Sequence, residues 1–313
     1  MLPSLDDFLL SLQTNNYSPE TVYNYERDLA VFDQYLTESG TPFEEADKTT
    51  IARYKAYLTS RDRKTAIRLK EQEKMLISRS INRMLSSLRS YLRFLIDMDK
   101  PTPIPPEVVK LIKTERKHPQ VAELADLVRL IEAPSSLESD RLVALRNRAM
   151  LEVLFSTGMR ISELCNLNRN QIDDSGKIFI MGKGKKQRFV YLTDRAIEHL
   201  SRYLTSRRDV NPALFIPYSG RNVKNAKRRI STNYFQEKIK KYREKLKINV
   251  PTSAHSLRHG FATYLAEEGA SPAAIQILLG HESLDTTTRY VHASDRFAQE
   301  THSKFHPLAE PED

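Results

Sequence analysis

Four prolines fall within six residues, at Pro101, Pro103, Pro105 and Pro106. Proline has no backbone donor, and its ring blocks a helix interior, so no helix or central strand runs through this stretch. Residues 101–118 therefore read as a stiff, extended linker. A chain of 313 residues is long for one core and suits two. Residues 1–100 form the first domain on this reading, and residues 119–313 form the second.

Before the prolines, apolar residues recur at helical spacing and never in strand alternation. Ser18-Pro19 reads as an N-cap followed by proline in the first turn. Val22, Tyr25, Leu29, Phe32 and Leu36 follow on one helix face. Ile51, Tyr54 and Leu58 mark a second helix, after Asp47-Lys48-Thr49. Ile81, Leu85, Leu88, Leu92 and Leu95 mark a third, flanked by Arg79, Arg83, Arg89 and Arg93. The charged stretch Arg61–Lys74 extends a helix or forms a basic loop, and its role is not legible. Residues 1–98 thus read as an all-helical bundle.

Charge is distributed in blocks. Residues 1–47 hold ten carboxylates and one cation, Arg27, whereas residues 48–100 hold fourteen cations and five carboxylates. The net charge of +9 therefore sits entirely in residues 101–313, where Arg221–Lys247 alone holds eleven cations against Glu237 and Glu244. One such run is as well explained by a solvated helix face. Several basic blocks between acidic ones point to a polyanion partner. No apolar run approaches the ~20 residues of a membrane span. The start, MLPSLDDFLLSLQ, is acidic and lacks a small-residue cleavage site, so it does not read as a secretory signal. A single cysteine, Cys165, excludes an intrachain disulfide, and a reducing, cytoplasmic location is the expectation.

After the prolines, helical patterns cover Val121–Glu132 and Leu142–Thr157. Two β-prone runs then flank Gly182-Lys183-Gly184-Lys185: Ile178–Met181 before it and Arg188–Leu192 after it. They predict an antiparallel hairpin. Helices resume at Asp194–Arg207, Asn233–Leu246, Ser256–Glu268, Pro272–Leu279 and Leu284–His292. The fold class is mainly α with a small antiparallel β region (α+β).

Six polar residues of this part stand out, and singly each has a plain structural explanation. Arg160 is three positions before Glu163, the spacing of a surface helix pair. Lys183 sits in a turn, where lysines are usually solvated. His255 and Arg258 share a helix face near its N-terminus, where a phosphate is also favoured. His281 follows a Gly280 that fits a helix C-cap, and Tyr290 lies on an amphipathic helix where most tyrosines only pack.

Together they carry more. Gly-x-Arg-x-Ser-Glu-Leu, Gly-Lys-Gly-x-Lys, His-x-x-Arg-His, and Leu-Gly-His followed nine residues later by Tyr occur in that order across residues 145–292. This set closely resembles the tyrosine recombinases, the phage integrase family, and is most similar to their Xer group. The resemblance implies an N-terminal helical core-binding, SAM-like domain and a C-terminal catalytic domain. It implies a site-specific recombinase that cuts and rejoins double-stranded DNA through a 3′-phosphotyrosine on Tyr290. Arg160, Arg258 and His281 would hold the scissile phosphate, Lys183 would protonate the leaving oxygen, His255 would serve as base and Glu163 would position the His255/Arg258 face.

Tyrosine ionises near pH 10, so such a nucleophile needs activation. Arginine supplies permanent planar donors that lysine cannot match. No cofactor is expected, because fixed cations replace a metal and the phosphotyrosine conserves bond energy without ATP. Phosphate contacts would come from Arg79, Arg83, Arg89, Arg93, Lys185, Lys186, Arg221, Lys224, Lys227, Arg228 and Arg229, giving affinity without sequence information. The family acts as a tetramer on two sites, of one chain or two, in places with a DNA translocase. Ala293–Phe305, with Phe297 and Phe305, would be the element that docks on a neighbour. Chromosome dimer resolution is favoured over mobile-element or phage integration. A type IB topoisomerase and a non-catalytic DNA-binding protein are the remaining alternatives.

Overall fold

A computed structural model describes residues 2–60, 76–114, 121–181, 187–224 and 228–280. The chain divides into two compact units, Met1–Lys117 and His118–Asp313. The expected stretches Arg61–Lys74, Leu284–His292 and Ala293–Phe305 lie outside the described residues.

The first unit contains α1 (Leu5–Thr14), α2 (Pro19–Ser39), α3 (Lys48–Thr59) and α4 (Ser78–Asp97). Local chemistry sets their ends. Ser18 accepts the Thr21 N–H at 3.2 Å with Pro19 in the first turn, and Gly40 ends α2 at φ 64°. Asp47 and Thr50 form a reciprocal capping box on α3. Ile81, Leu85, Leu88, Leu92 and Leu95 of α4 are buried with Phe8, Leu29, Phe32 and Tyr54. Among the described residues of this unit there are only helices and turns, as the periodicity requires.

The proline segment departs from the expected linker. Ile104 and Val109 are 2% and 0% exposed and belong to this same core. The Asn82 side chain donates to the Ile112 carbonyl at 2.9 Å and accepts the Ile112 N–H at 2.8 Å. The prolines do prevent a helix, but the apolar residues among them bury against α4. The segment is therefore packed as far as residue 112.

Arg83 has an internal partner. Its guanidinium donates at 2.7 Å to Asp28, which is 3% exposed and also accepts from Ser87 at 2.9 Å. Burial pushes the Asp28 carboxyl above its ordinary range despite both donors. Arg83 thus compensates an internal charge. Arg83→Ala is expected to destabilise the first unit by about 1–3 kcal/mol, the cost of an undersatisfied buried acceptor. Denaturant unfolding checks this, and an unchanged midpoint would rule it out.

The second unit is arranged around α7 (Arg141–Thr157), with α5 (Leu124–Glu132) and a single turn α6 (Pro134–Leu137) before it. After it come α8 (Ile161–Asn166), β1 (Lys177–Met181), β2 (Gln187–Tyr191), α9 (Asp194–Ser206), α10 (Thr232–Lys245), α11 (Ala254–Glu267) and α12 (Pro272–Leu279). Six of the seven expected helices appear within a few residues of their expected bounds, α12 at its own, and Leu284–His292 lies outside the described residues.

Helix α7 is buried on nearly every side, including its polar residues. Arg146, 1% exposed, donates to the Ile216 carbonyl at 3.0 Å, to Tyr234 at 2.8 Å and to Asn147 at 3.0 Å. Asn147 in turn donates to Tyr242 at 2.7 Å, and Arg148 bonds Glu152 at 2.9 Å. Buried polar groups persist only when so paired. Leu151, Val153 and Leu154 fill the core with Leu127, Leu164, Ile178, Val190 and Phe235.

β1 and β2 pair antiparallel, from Lys177 opposite Tyr191 to Met181 opposite Gln187. Alternation buries Ile178, Ile180, Arg188 and Val190 on one face. Cys165 is buried as well, and burial pushes its thiol up to about 12, so the sulfur is inert.

Candidate active site

The site begins where α7 ends. Gly158 adopts φ 59°, and a Cβ there would lie 2.3 Å from Phe261 Cδ1. Glycine is needed for both the left-handed turn and the close approach of α11. Arg160 then precedes α8 in extended conformation. Glu163 reaches back to the Arg160 backbone N–H at 2.7 Å and accepts from its Nη1 at 3.1 Å. This is half of a capping box, with the arginine side chain held as well.

Helix α11 supplies His255, Arg258 and His259. Arg258 is 3% exposed. Its Nη1 donates to the Gly158 carbonyl at 2.8 Å and its Nη2 to the Leu279 carbonyl at 2.6 Å. One side chain thereby joins the turn before Arg160 to the end of α12, just before position 281. His255 Nε2 lies 2.8 Å from His259 Nε2, one turn along the helix. Burial, then the nearby Arg258 and Arg160 charges, push the His255 pKa below its ordinary value. A depressed histidine is neutral at pH 7 and able to accept a proton. Arg258 lies three positions after His255 on α11, and its bond to the Gly158 carbonyl draws that helix to the turn two residues before Arg160.

β2 supplies a member not singled out from the sequence. Arg188 is 8% exposed, and its guanidinium forks onto Glu163, with Nη1 to Oε1 at 3.0 Å and Nη2 to Oε2 at 2.7 Å. Its Nε donates to the Leu278 carbonyl at 2.9 Å. Burial alone raises the Glu163 pKa, but the Arg188 fork and the Arg160 N–H outweigh it and hold the carboxyl below its usual value. Glu163 therefore acts on Arg160 and Arg188. Among the described residues these are its hydrogen-bond partners, and the expected link to the His255/Arg258 face is not one of them. A period-2 reading could have found Arg188, because a charge on the Val190 face of a half-buried strand needs a partner.

Arg160, His255 and Arg258 are thus brought together. Lys183, His281 and Tyr290 lie outside the described residues, as do Lys185, Lys186 and Lys227. Of the expected phosphate contacts, Arg79 and Arg93 are exposed on α4 and Arg89 is half-buried beside them. Arg221 opens a single 3₁₀ turn that ends at the exposed Lys224. Arg228 and Arg229 are half-buried and hold backbone. Arg228 bonds the Val223 carbonyl, and Arg229 bonds the Leu167 carbonyl at 3.0 Å and Asn168 at 2.5 Å.

Known proteins agree with this architecture. Residues 121–296 match the Phage integrase family, and residues 5–98 match its N-terminal SAM-like domain. The chain is 32% identical to the tyrosine recombinase XerD of Shewanella oneidensis, covering 97% of each chain. It is 34% identical to the tyrosine recombinase XerC of Pelobacter propionicus, covering 100% of this chain and 99% of that one. Among solved structures, the XerH site-specific recombinase bound to a palindromic difH substrate shares the fold, with a TM-score of 0.70 and 21% identity over 90% of this chain and 79% of that one. The chain belongs to the phage integrase family: it is a tyrosine recombinase, an enzyme that cleaves and rejoins DNA.

Proposed function

We propose that the chain is a site-specific recombinase of the Xer type that resolves chromosome dimers in the cytoplasm. Tyr290 is the nucleophile. Its phenolate attacks the scissile phosphorus and forms a 3′-phosphotyrosyl bond, and the 5′-oxygen leaves with a proton from Lys183. His255 takes the phenol proton, while Arg160, Arg258 and His281 hold the non-bridging oxygens. Arg79, Arg89, Arg93 and Lys224 contact neighbouring phosphates. Exchange between two duplexes calls for four active sites, supplied by a tetramer of this chain alone or with a second recombinase.

The observation that carries this reading is the convergence of Arg160, His255 and Arg258 from stretches about a hundred residues apart, through the 2.8 Å bond from Arg258 to the Gly158 carbonyl. Two guanidinium groups beside a neutral histidine suit a phosphodiester that gains negative charge as it is attacked. The Xer assignment rests on full-length similarity to XerC and XerD proteins.

Two measurements test it. Purified protein is incubated with genomic DNA, and the covalent protein–DNA adduct is digested and sequenced by mass spectrometry. The nucleotide-bearing peptide is expected to carry Tyr290, and any other residue would remove the mechanism. A plasmid carrying two copies of the mapped cleavage site is expected to lose the intervening segment. Relaxation of supercoils without deletion would point to a type IB topoisomerase instead.

A further inference from the structure

Two arginines meet at the C-terminal end of α12. The last carbonyls of any helix have no partner within it. Here the Gly280 N–H bonds the Gln276 and Ile277 carbonyls, Arg188 bonds Leu278, and Arg258 bonds Leu279. All four are thus satisfied, two by glycine in its left-handed cap and two by cations that also favour the negative end of the helix dipole. The aliphatic part of Arg188 lies against the same turn, since a Cβ on Gly280 would approach its Cδ to 3.0 Å.

Arg188 faces inward on β2, and its remaining donors fork onto Glu163, the carboxylate that holds Arg160. A lysine could make one of these contacts but not all three, because they need a planar fork with a side donor. Glu163 and Arg188 are each only 7% exposed in their side chains, so water cannot readily replace either partner.

We infer that Arg188 is a positioning residue that fixes Glu163, and through it Arg160, against the turn at Gly280. It rests on the recombinase reading, because Arg160 matters only if it meets a phosphate. Arg188 touches no reacting atom. It ties three separate pieces, the return strand of the hairpin, the start of α8 and the end of α12, so that the two phosphate-facing arginines keep one spacing. A shift of about 1 Å in such a constellation lowers a rate by about 10²-fold.

The test uses full-length protein and a nicked duplex built on a genomic position that the wild type cuts, with single-turnover adduct formation as the readout. Arg188→Gln is expected to cut that rate by roughly 10–100-fold while leaving DNA affinity within about twofold. Arg188→Lys, which keeps the charge and guards against a folding failure, is expected to recover part of the loss. Glu163→Gln is expected to match Arg188→Gln, and the double variant to be no slower than either alone, as for residues acting as one unit.

The pH profile separates positioning from bulk stability. In the wild type Glu163 stays ionised well below neutrality. Without its fork the buried carboxyl titrates higher, so Arg188→Gln gains a decline in rate on the acid side. A variant that only loosened the fold would lose rate equally at every pH. An Arg188→Gln rate within twofold of wild type, or multiplicative losses in the double variant, would overturn the inference and leave the recombinase reading intact. Absence of any wild-type adduct on genomic DNA would overturn that reading, and the inference with it.

Discussion

Arg258→Ala is expected to slow single-turnover cleavage by about 10²–10³-fold, the usual cost of losing one preorganised donor to a charged intermediate. The loss should exceed that of any other described side chain, because Arg258 has two roles. It is proposed to hold the scissile phosphate, and it joins the Gly158 and Leu279 carbonyls at 2.8 and 2.6 Å. Truncation leaves both acceptors near the buried end of α12 without that donor, at about 1–3 kcal/mol each where water cannot enter. Arg258→Lys keeps the charge but cannot span both carbonyls, so it should restore stability more than rate. It also leaves a charge beside His255, so most of the His255 pKa depression should survive in Arg258→Lys and be reduced in Arg258→Ala. Adduct formation, thermal melting and NMR titration of His255 give the three readouts. Cleavage within twofold of wild type in both variants would remove Arg258 from the site.

The second large effect is expected at a residue with no side chain. Gly158→Ala places a methyl group 2.3 Å from the Phe261 ring at φ 59°. The left-handed conformation costs an alanine roughly 1–2 kcal/mol, and overpacking adds typically 1–3 kcal/mol. A unit of this size should melt roughly 4–20 °C lower at that cost. The rate should fall further than the stability, because Gly158 is the hinge between α7 and Arg160 and its carbonyl is an Arg258 acceptor. Adding Phe261→Leu opens space for the methyl group and should recover the steric part of the melting loss while leaving the backbone part. Full recovery would show that the φ value carries no strain, and no recovery would show that Phe261 is not the obstacle.

Helix ends were readable where side chain and backbone interact locally. Ser18 and Asp47 announce α2 and α3, and Pro272 and Gly280 bracket α12 at its observed bounds. The strand pair was readable from β-prone runs either side of a glycine-containing stretch, and β1 and β2 pair antiparallel as that reading expects. The site was readable as a set of motifs in order, and of its catalytic candidates only Arg160, His255 and Arg258 lie among the described residues. The contacts that organise it were not readable. Arg188 bonds Glu163 25 positions away and Leu278 90 positions away, and spacing rules reach only a turn or two along an element. Arg83 and Arg229 looked like their neighbours in composition, but each faces an acceptor that only folding supplies. The packing of the proline segment is illegible for a related reason. Proline excludes a helix but leaves open whether Ile104 and Val109 find a surface to cover.

The wiring of α7 restricts how this catalytic unit can be cut and pasted. Arg146 depends on the hydroxyl of Tyr234 and the carbonyl of Ile216, and Asn147 depends on Tyr242, which also meets Glu138. A chimera with a breakpoint between Asn147 and Tyr234 would take Arg146 and Asn147 from one parent and their tyrosine partners from the other. Unless both parents carry compatible groups at those positions, a guanidinium and an amide buried in the second unit would each lose a partner. Shuffling libraries from this chain should therefore yield folded members chiefly when that whole interval comes from one source.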